Sequence, residues 1–188
     1  VFGVDEVIAK VEMVNQGRNY ILDVVDSDLR EVVAQKKLEA TTDFSVLRQC
    51  DVILICVPTP LTKNKEPDIS AIVKVLGHLA DNSHPNMLVV LESTTYPGTT
   101  EEVILPALTA TGLTVGKDLF VAFSPERVDP GNAEFKTHNT FKLVGGVTEA
   151  CGEVAKTFYE QSIVKIFPLS SPRVAEMAKV FENVFRSV

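Results

Sequence analysis

The sequence predicts an α/β fold built on a parallel sheet, and three observations carry that prediction. Asp51-Val52-Ile53-Leu54-Ile55-Cys56-Val57 and Leu88-Val89-Val90-Leu91 are apolar without alternation, the pattern of strands buried on both faces. Segments with apolar residues at helical spacing lie between and after these runs. The strand runs end in polar turns that lead into helix starts. In such sheets ligands bind beyond the carboxyl ends of the strands, so the turn residues are the candidate site.

Taken in order, Val1 to Val4 reads as a short strand ending in Asp5. Residues 6–16 carry Val7, Ile8, Val11 and Val14 at helical spacing, and Gly17 is a C′ stop. Asp5 fits two roles. It can cap the following helix. Alternatively, an acid at the end of the second strand of a dinucleotide fold bonds the adenosine ribose and favours NAD over NADP. Gly3 is the sole glycine before Gly17, so the chain holds no G-x-G-x-x-G. Residues 28–36 read as a helix, 38–41 as extended and 43–49 as a brief helix.

The strand over residues 51–57 stops at Pro58-Thr59-Pro60, because two prolines forbid its continuation. That leaves Thr59 at the carboxyl edge, level with Ser93 and Thr94. A helix is expected over residues 70–80, with Ile72, Val73, Leu76 and Leu79 inward. The run Leu88 to Leu91 ends at Glu92-Ser93-Thr94-Thr95-Tyr96-Pro97-Gly98, which is either an ordinary βα turn or part of a binding edge. Thr99 with Glu102 has capping-box spacing, and Pro106 should kink or restart the helix that follows, which Gly112 ends.

Leu119 to Phe123 is a further strand, followed by the charged, proline-containing Ser124-Pro125-Glu126-Arg127-Val128-Asp129-Pro130-Gly131. Residues 141–144 read as a strand, Gly145-Gly146 as a tight turn, 149–161 as a helix and 163–168 as a last strand. Ser171 at N-cap and Pro172 at N1 start a final helix. Its apolar stripe is Val174, Ala178, Phe181, Val184, Phe185 and Val188. Lys179 and Asn183 lie one turn apart on nearly the opposite face, where the pattern alone reads as a solvated pair supported by Glu176 and Glu182.

The chain has 188 residues, 45% hydrophobic and 23% charged, with a net charge of −7. Nothing in that balance points to nucleic acid or an acidic membrane surface, and no apolar run reaches a membrane span. Cys50, Cys56 and Cys151 are odd in number and lack C-x-x-C spacing. That suits free thiols in the cytoplasm and argues against a disulfide framework or a zinc site. The chain opens inside a strand and closes inside a helix without a stop signal, so we expect a fragment of a longer polypeptide.

Asp5, Val57-Pro58-Thr59-Pro60, Glu92 to Glu101, Phe123 to Asn132 and Glu176-Met177-Ala178-Lys179-x-x-x-Asn183 occur in that order. Together they resemble the UDP-glucose/GDP-mannose dehydrogenase family, and most closely its branch acting on UDP-N-acetylhexosamines. The resemblance implies a Rossmann-like, doubly wound parallel sheet that lacks its first strand and glycine-rich loop. It assigns residues 1–170 to the NAD-binding domain and 171–188 to the start of a long central helix. It implies NAD-dependent oxidation of the C6 alcohol of a UDP-sugar to the uronic acid, for surface polysaccharide precursors. UDP-N-acetylglucosamine is preferred, then UDP-N-acetylmannosamine or UDP-glucose. The partner surface it implies is the central helix, through which the intact protein forms a homodimer or higher oligomer.

The same resemblance assigns roles to residues. Asp5 and Lys10 would hold the adenosine end of NAD, Val57, Pro58, Thr59 and Pro60 its adenosine and diphosphate side, and Ser93 and Thr94 the nicotinamide ribose. Thr94, Glu126 and Lys179 would position a water as general base, with Asn183 beside the lysine. Substrate contacts would come from Glu126, Arg127, Val128, Asp129, Lys179 and Asn183. Two departures stand out. The UDP-glucose branch has a second glutamate four residues after the first, where this chain has Pro130. None of the three cysteines lies in the glycine-rich motif of the family's nucleophile, so the fragment alone is expected to show no turnover. A β-hydroxyacid or 6-phosphogluconate type dehydrogenase also sets Lys and Asn one turn apart, but gives no reason for Ser124 to Gly131. A non-catalytic nucleotide-binding or dimerisation module would suit the final apolar stripe.

Overall fold

The computed structural model describes residues 1–21, 24–127 and 140–187. The chain divides into two compact units, one containing Val1–Val46 and the other most of the chain from Leu47 onward.

In the first unit, β1 (Phe2–Val4) pairs in parallel with β2 (Glu39–Thr41), joined through α1 (Ile8–Asn15) and α2 (Asp26–Ala34). The first helix starts two residues later than the apolar spacing predicts, because Asp5 Oδ1 accepts from Val7 N at 2.8 Å and holds that segment in a turn. It ends as expected: Gly17 lies at φ +65, with Gly17 N on Val14 O and Arg18 N on Met13 O, a Schellman closure. The second helix is shifted upstream from residues 28–36 to Asp26–Ala34. Its first turn gains Asp26 beside Asp28, and the helix dipole favours both acids there. Asn15 ties α1 to β2 by donating to Ala40 O and accepting from Ala40 N, both at 2.8 Å.

A 3-10 turn over Phe44–Gln49 stands where a brief helix is expected. The second unit is then built on a five-stranded sheet in the order β3 (Val52–Ile55), β4 (Met87–Leu91), β5 (Leu119–Phe123), β6 (Lys142–Gly146), β7 (Ile166–Leu169). Neighbours are parallel except β5 and β6, so the predicted parallel sheet is present with one antiparallel pair in it. The helices are α3 (Ser70–Asn82), α4 (Leu105–Thr109), α5 (Glu149–Tyr159) and α6 (Pro172–Ser187). Every residue of β4 is buried. On one sheet face Leu88, Val90, Ala122 and Val144 pack with Ala155 and Tyr159 of α5 and with Ile163.

Three local expectations are overturned. Val73, expected inward on α3, is 52% exposed. Gly145-Gly146 is the end of β6, paired with Phe123 and Ala122, and not a tight turn. A Cβ on Gly145 would lie 2.3 Å from Ser171 O, and one on Gly146 would lie 2.1 Å from Gly152 N. The glycines are there so that the starts of α6 and α5 can close on opposite faces of one strand. The Thr99–Glu102 capping box does not form: Thr99 Oγ1 donates to Tyr96 O, and Glu102 pairs with Arg173. Pro106 acts as expected but upstream. It cannot donate to residue 102, and the ladder slips into a π-helical turn, Thr100–Ile104, in which Leu105 N reaches back to Thr100 O.

Candidate active site

The carboxyl ends of β3, β4 and β5 lie on the same side of the sheet, because these strands are parallel. The β3 and β4 ends are stitched together. Glu92 N and Ser93 N both donate to Ile55 O, at 2.9 and 3.1 Å. Ser93 Oγ donates to Val57 O at 2.7 Å and lies 3.2 Å from Ile55 O. Thr59 Oγ1 donates to Thr94 O at 2.5 Å. The prolines at 58 and 60 steer the chain away from the sheet, which brings Thr59 onto the turn after β4. Val57 to Pro60 thus stands beside Ser93 and Thr94, as the sequence predicts. The buried hydroxyl of Ser93 is engaged on backbone carbonyls, whereas Thr94 is exposed.

The β5 end meets α6. Ser124 N donates to Leu91 O, and Ser124 Oγ to Leu143 O at 2.8 Å, which fixes the strand before Glu126. Lys179 Nζ donates to the backbone carbonyl of Glu126. Arg127 grips Glu182 through Nε at 2.8 Å and Nη2 at 2.6 Å. Lys179 is half-buried and Asn183, one turn on, is exposed. Val128 and Asp129 lie outside the described residues, as does Pro130.

Helix α6 starts as predicted, with Val174 N on Ser171 Oγ at 3.3 Å. Its polarity is inverted, however. The apolar stripe faces outward, with Phe181 and Phe185 exposed at 70% and 76%, while Glu176 is fully buried. The solvated-pair reading holds for Asn183, which is exposed, and gives way for Lys179, which bonds Glu126 O. Glu176 accepts from Gly98 N, from Thr100 N at 2.9 Å and from Thr100 Oγ1 at 2.7 Å, and Glu182 is taken by Arg127.

One polar cluster escaped sequence reasoning. Glu92 Oε1 accepts from Lys142 Nζ at 2.9 Å and from the hydroxyl of Tyr159, and Oε2 lies 3.6 Å from the Cys56 thiol. The Lys142 ammonium also sits 4.8 Å from the Tyr159 ring centre. Burial, then the charge of Glu92, pushes the Cys56 thiol up to about 12. The same two causes raise the Tyr159 phenol. Both groups stay protonated and donate to the carboxylate. The available signal is a lone acid closing an apolar strand, which the sequence places in a turn or at a binding edge without naming its partners.

In the first unit, Asp5 Oδ2 pairs with Lys10 Nζ at 3.1 Å while Oδ1 receives Val7 N. Asp5 thus closes a turn ahead of α1 and does not cap the helix, whose N-cap is Val7, and its other oxygen faces a cation. Among the described residues no group of three or more His, Cys, Asp or Glu is placed to hold a metal ion. Among the described residues, no helix is long and apolar enough to cross a membrane.

Comparison with known proteins gives a single direction. Residues 1–163 match the family model described as the UDP-glucose/GDP-mannose dehydrogenase family, NAD binding domain. The chain is 33% identical over 190 residues to UDP-N-acetyl-D-glucosamine 6-dehydrogenase of Pseudomonas aeruginosa, covering 100% of this chain and 44% of that protein. It is 35% identical over 184 residues to UDP-N-acetyl-D-mannosamine dehydrogenase of Pyrococcus horikoshii, covering 97% and 43%. Among solved structures, the UDP-D-ManNAc dehydrogenase of Pyrococcus horikoshii superposes with a TM-score of 0.92 at 34% identity, covering 99% of this chain and 44% of that one. A ternary complex of GDP-mannose dehydrogenase from Pseudomonas aeruginosa gives 0.90 at 28%, covering 100% and 44%. The chain thus spans less than half the length of the curated relatives it matches.

Proposed function

Because the chain belongs to the UDP-glucose/GDP-mannose dehydrogenase family, we propose that the whole protein oxidises the C6 alcohol of a UDP-sugar to the uronic acid with NAD as acceptor. UDP-N-acetylglucosamine is the preferred substrate, ahead of UDP-N-acetylmannosamine and UDP-glucose, and the product serves surface polysaccharide synthesis. The observation that carries this reading is the hydrogen bond from Lys179 to the backbone carbonyl of Glu126, which joins the last helix to the end of β5.

The residues present fit the cofactor at its adenosine end. Asp5 closes β1 with an acceptor-only carboxylate, 34% exposed, beside Lys10, which suits a ribose diol. Val57, Pro58, Thr59 and Pro60 line the adenosine and diphosphate side. Ser93, by bonding Val57 O, holds the turn that presents Thr94 to the nicotinamide ribose. NAD supplies the hydride acceptor. For the first of two successive oxidations, alcohol to aldehyde, this chain's residues would serve as follows: Thr94, Glu126 and Lys179 orient a water that takes the alcohol proton. The second NAD-dependent oxidation, aldehyde to acid, also needs the nucleophilic cysteine expected outside residues 1–188. Lys179 and Asn183 offer donors to the oxygen on which negative charge grows. Glu126 to Asp129 contact the sugar nucleotide.

Residues 1–170 are the NAD-binding domain on this reading, and residues 171–188 begin a central helix. The exposed stripe of that helix supports a second copy of the protein as its partner. The free thiols support a cytoplasmic setting. The test is NADH formation by the complete protein on the three UDP-sugars. Lys179→Ala should lower kcat by roughly 10²–10³-fold. No NADH with any of them, or an unchanged kcat in the variant, would overturn the assignment. A monomer in sedimentation would remove the second copy.

A further inference from the structure

Glu176 is a charged residue with no exposed surface. All three donors it faces, Gly98 N, Thr100 N and Thr100 Oγ1, come from the turn and helix start that follow β4. The first N–H groups of a helix have no partner within it. Here a side chain 76 residues further along the sequence satisfies them. An ionised carboxylate is acceptor-only, and three donors fixed in backbone and a short side chain accept it in one orientation. An apolar residue of similar size would fill the same space but leave these buried donors without their acceptor. The carboxylate supplies both the acceptor and a direction.

Lys179 lies one turn beyond Glu176 and bonds the carbonyl of Glu126. Consecutive turns of α6 are therefore pinned to two different strand ends, through Glu176 after β4 and through Lys179 after β5. Two further ties act on this helix. Arg173 to Glu101 and Glu102 is exposed on both sides, where such pairs contribute little. Glu182 to Arg127 is half-buried and holds the turn beyond Lys179 to the β5 end. We propose that Glu176 is a positioning residue: it sets the depth and rotation of α6 over the carboxyl edge, and so the placement of Lys179 and Asn183 relative to Thr94. This rests on the reading that those three residues serve the oxidation.

Glu176→Gln in the complete protein is the test. It keeps the volume but turns one acceptor into a donor facing backbone N–H groups. Misplacing a reacting group by an ångström costs on the order of 10²-fold, so kcat should fall roughly 10- to 100-fold with KM for NAD nearly unchanged. Arg173→Ala, on the same helix, should leave kcat at the wild-type value. Glu176→Asp keeps the charge on a shorter arm; it should be intermediate, and it replaces Gln should that variant fail to fold. Amide exchange should quicken at residues 98–100 and in the turn carrying Lys179. Wild-type kcat in both Glu176 variants would overturn the proposal, as would equal losses in Arg173→Ala. If the wild-type protein oxidises no UDP-sugar, the functional reading falls alone. Exchange then decides the clamp, with unchanged protection at residues 98–100 counting against it.

Discussion

Glu92 shows at the scale of one residue how this edge is stabilised. Its side chain is 14% exposed and that of Lys142 is 7%, so both charges have left most of their water. Taking ions out of water is costly, and their attraction offsets the cost only when the remaining hydrogen-bonding capacity is filled. Tyr159 and Cys56 fill it here, both held protonated by burial and by the carboxylate itself. Removing one partner leaves the other charge stranded. Lys142→Met should therefore destabilise the chain by about 3–5 kcal/mol, and adding Glu92→Gln should recover most of that loss. Urea denaturation of the single and double variants measures both. A double variant as unstable as the sum of the singles would mean that the pair is not coupled.

At the scale of elements, backbone approach matters as much as side-chain contact. Strand β6 ends in two glycines, each with a helix start close against it. The obstructing atoms are backbone atoms of Ser171 and Gly152, which cannot swing aside as a flexible side chain can. Gly146→Ala should cost about 1–3 kcal/mol by overpacking α5. Gly77→Ala, where an added Cβ meets nothing within 4 Å inside α3, should gain about 0.5–1 kcal/mol. Thermal or urea midpoints should move in opposite directions, and a neutral Gly146→Ala would show that the α5 start can yield. The element types were legible because each strand run and helical stripe repeats its own period. The glycine pair reads as a turn in the sequence because two adjacent glycines carry the same local signal whether they permit a bend or a close approach. The Thr99–Glu102 spacing failed for a related reason. A capping box is a local option, and a carboxylate from a distant helix took the donors instead.

At the scale of the whole chain, sequence order alone placed the site residues on turns, and the turns after β3, β4 and β5 share one edge of the larger sheet. Legible too was the helix carrying Lys179 and Asn183. Its contacts were not, since Glu176, Arg173 and Glu182 each act across more than fifty residues of sequence. The two units also differ in how they are held. In the first, the buried apolar side chains among the described residues are Leu29 and Ala40, α1 buries none, and the sheet has two strands. A two-stranded pairing is marginal in water without a well-packed face. In the second, all five residues of β4 and most of β5 are buried, between strands bonded on both sides. Local opening free energies follow such differences in buried contact. Hydrogen exchange on the isolated chain should therefore find amides of β4 and β5 the slowest, at the rate set by global unfolding. Amides of α1, α2 and β2 should exchange at least about 10²-fold faster, since a difference of about 3 kcal/mol in opening suffices for that. Equal protection in β2 and β4 would mean that the first unit opens only together with the second, and would refute the assignment of stability to the five-stranded core.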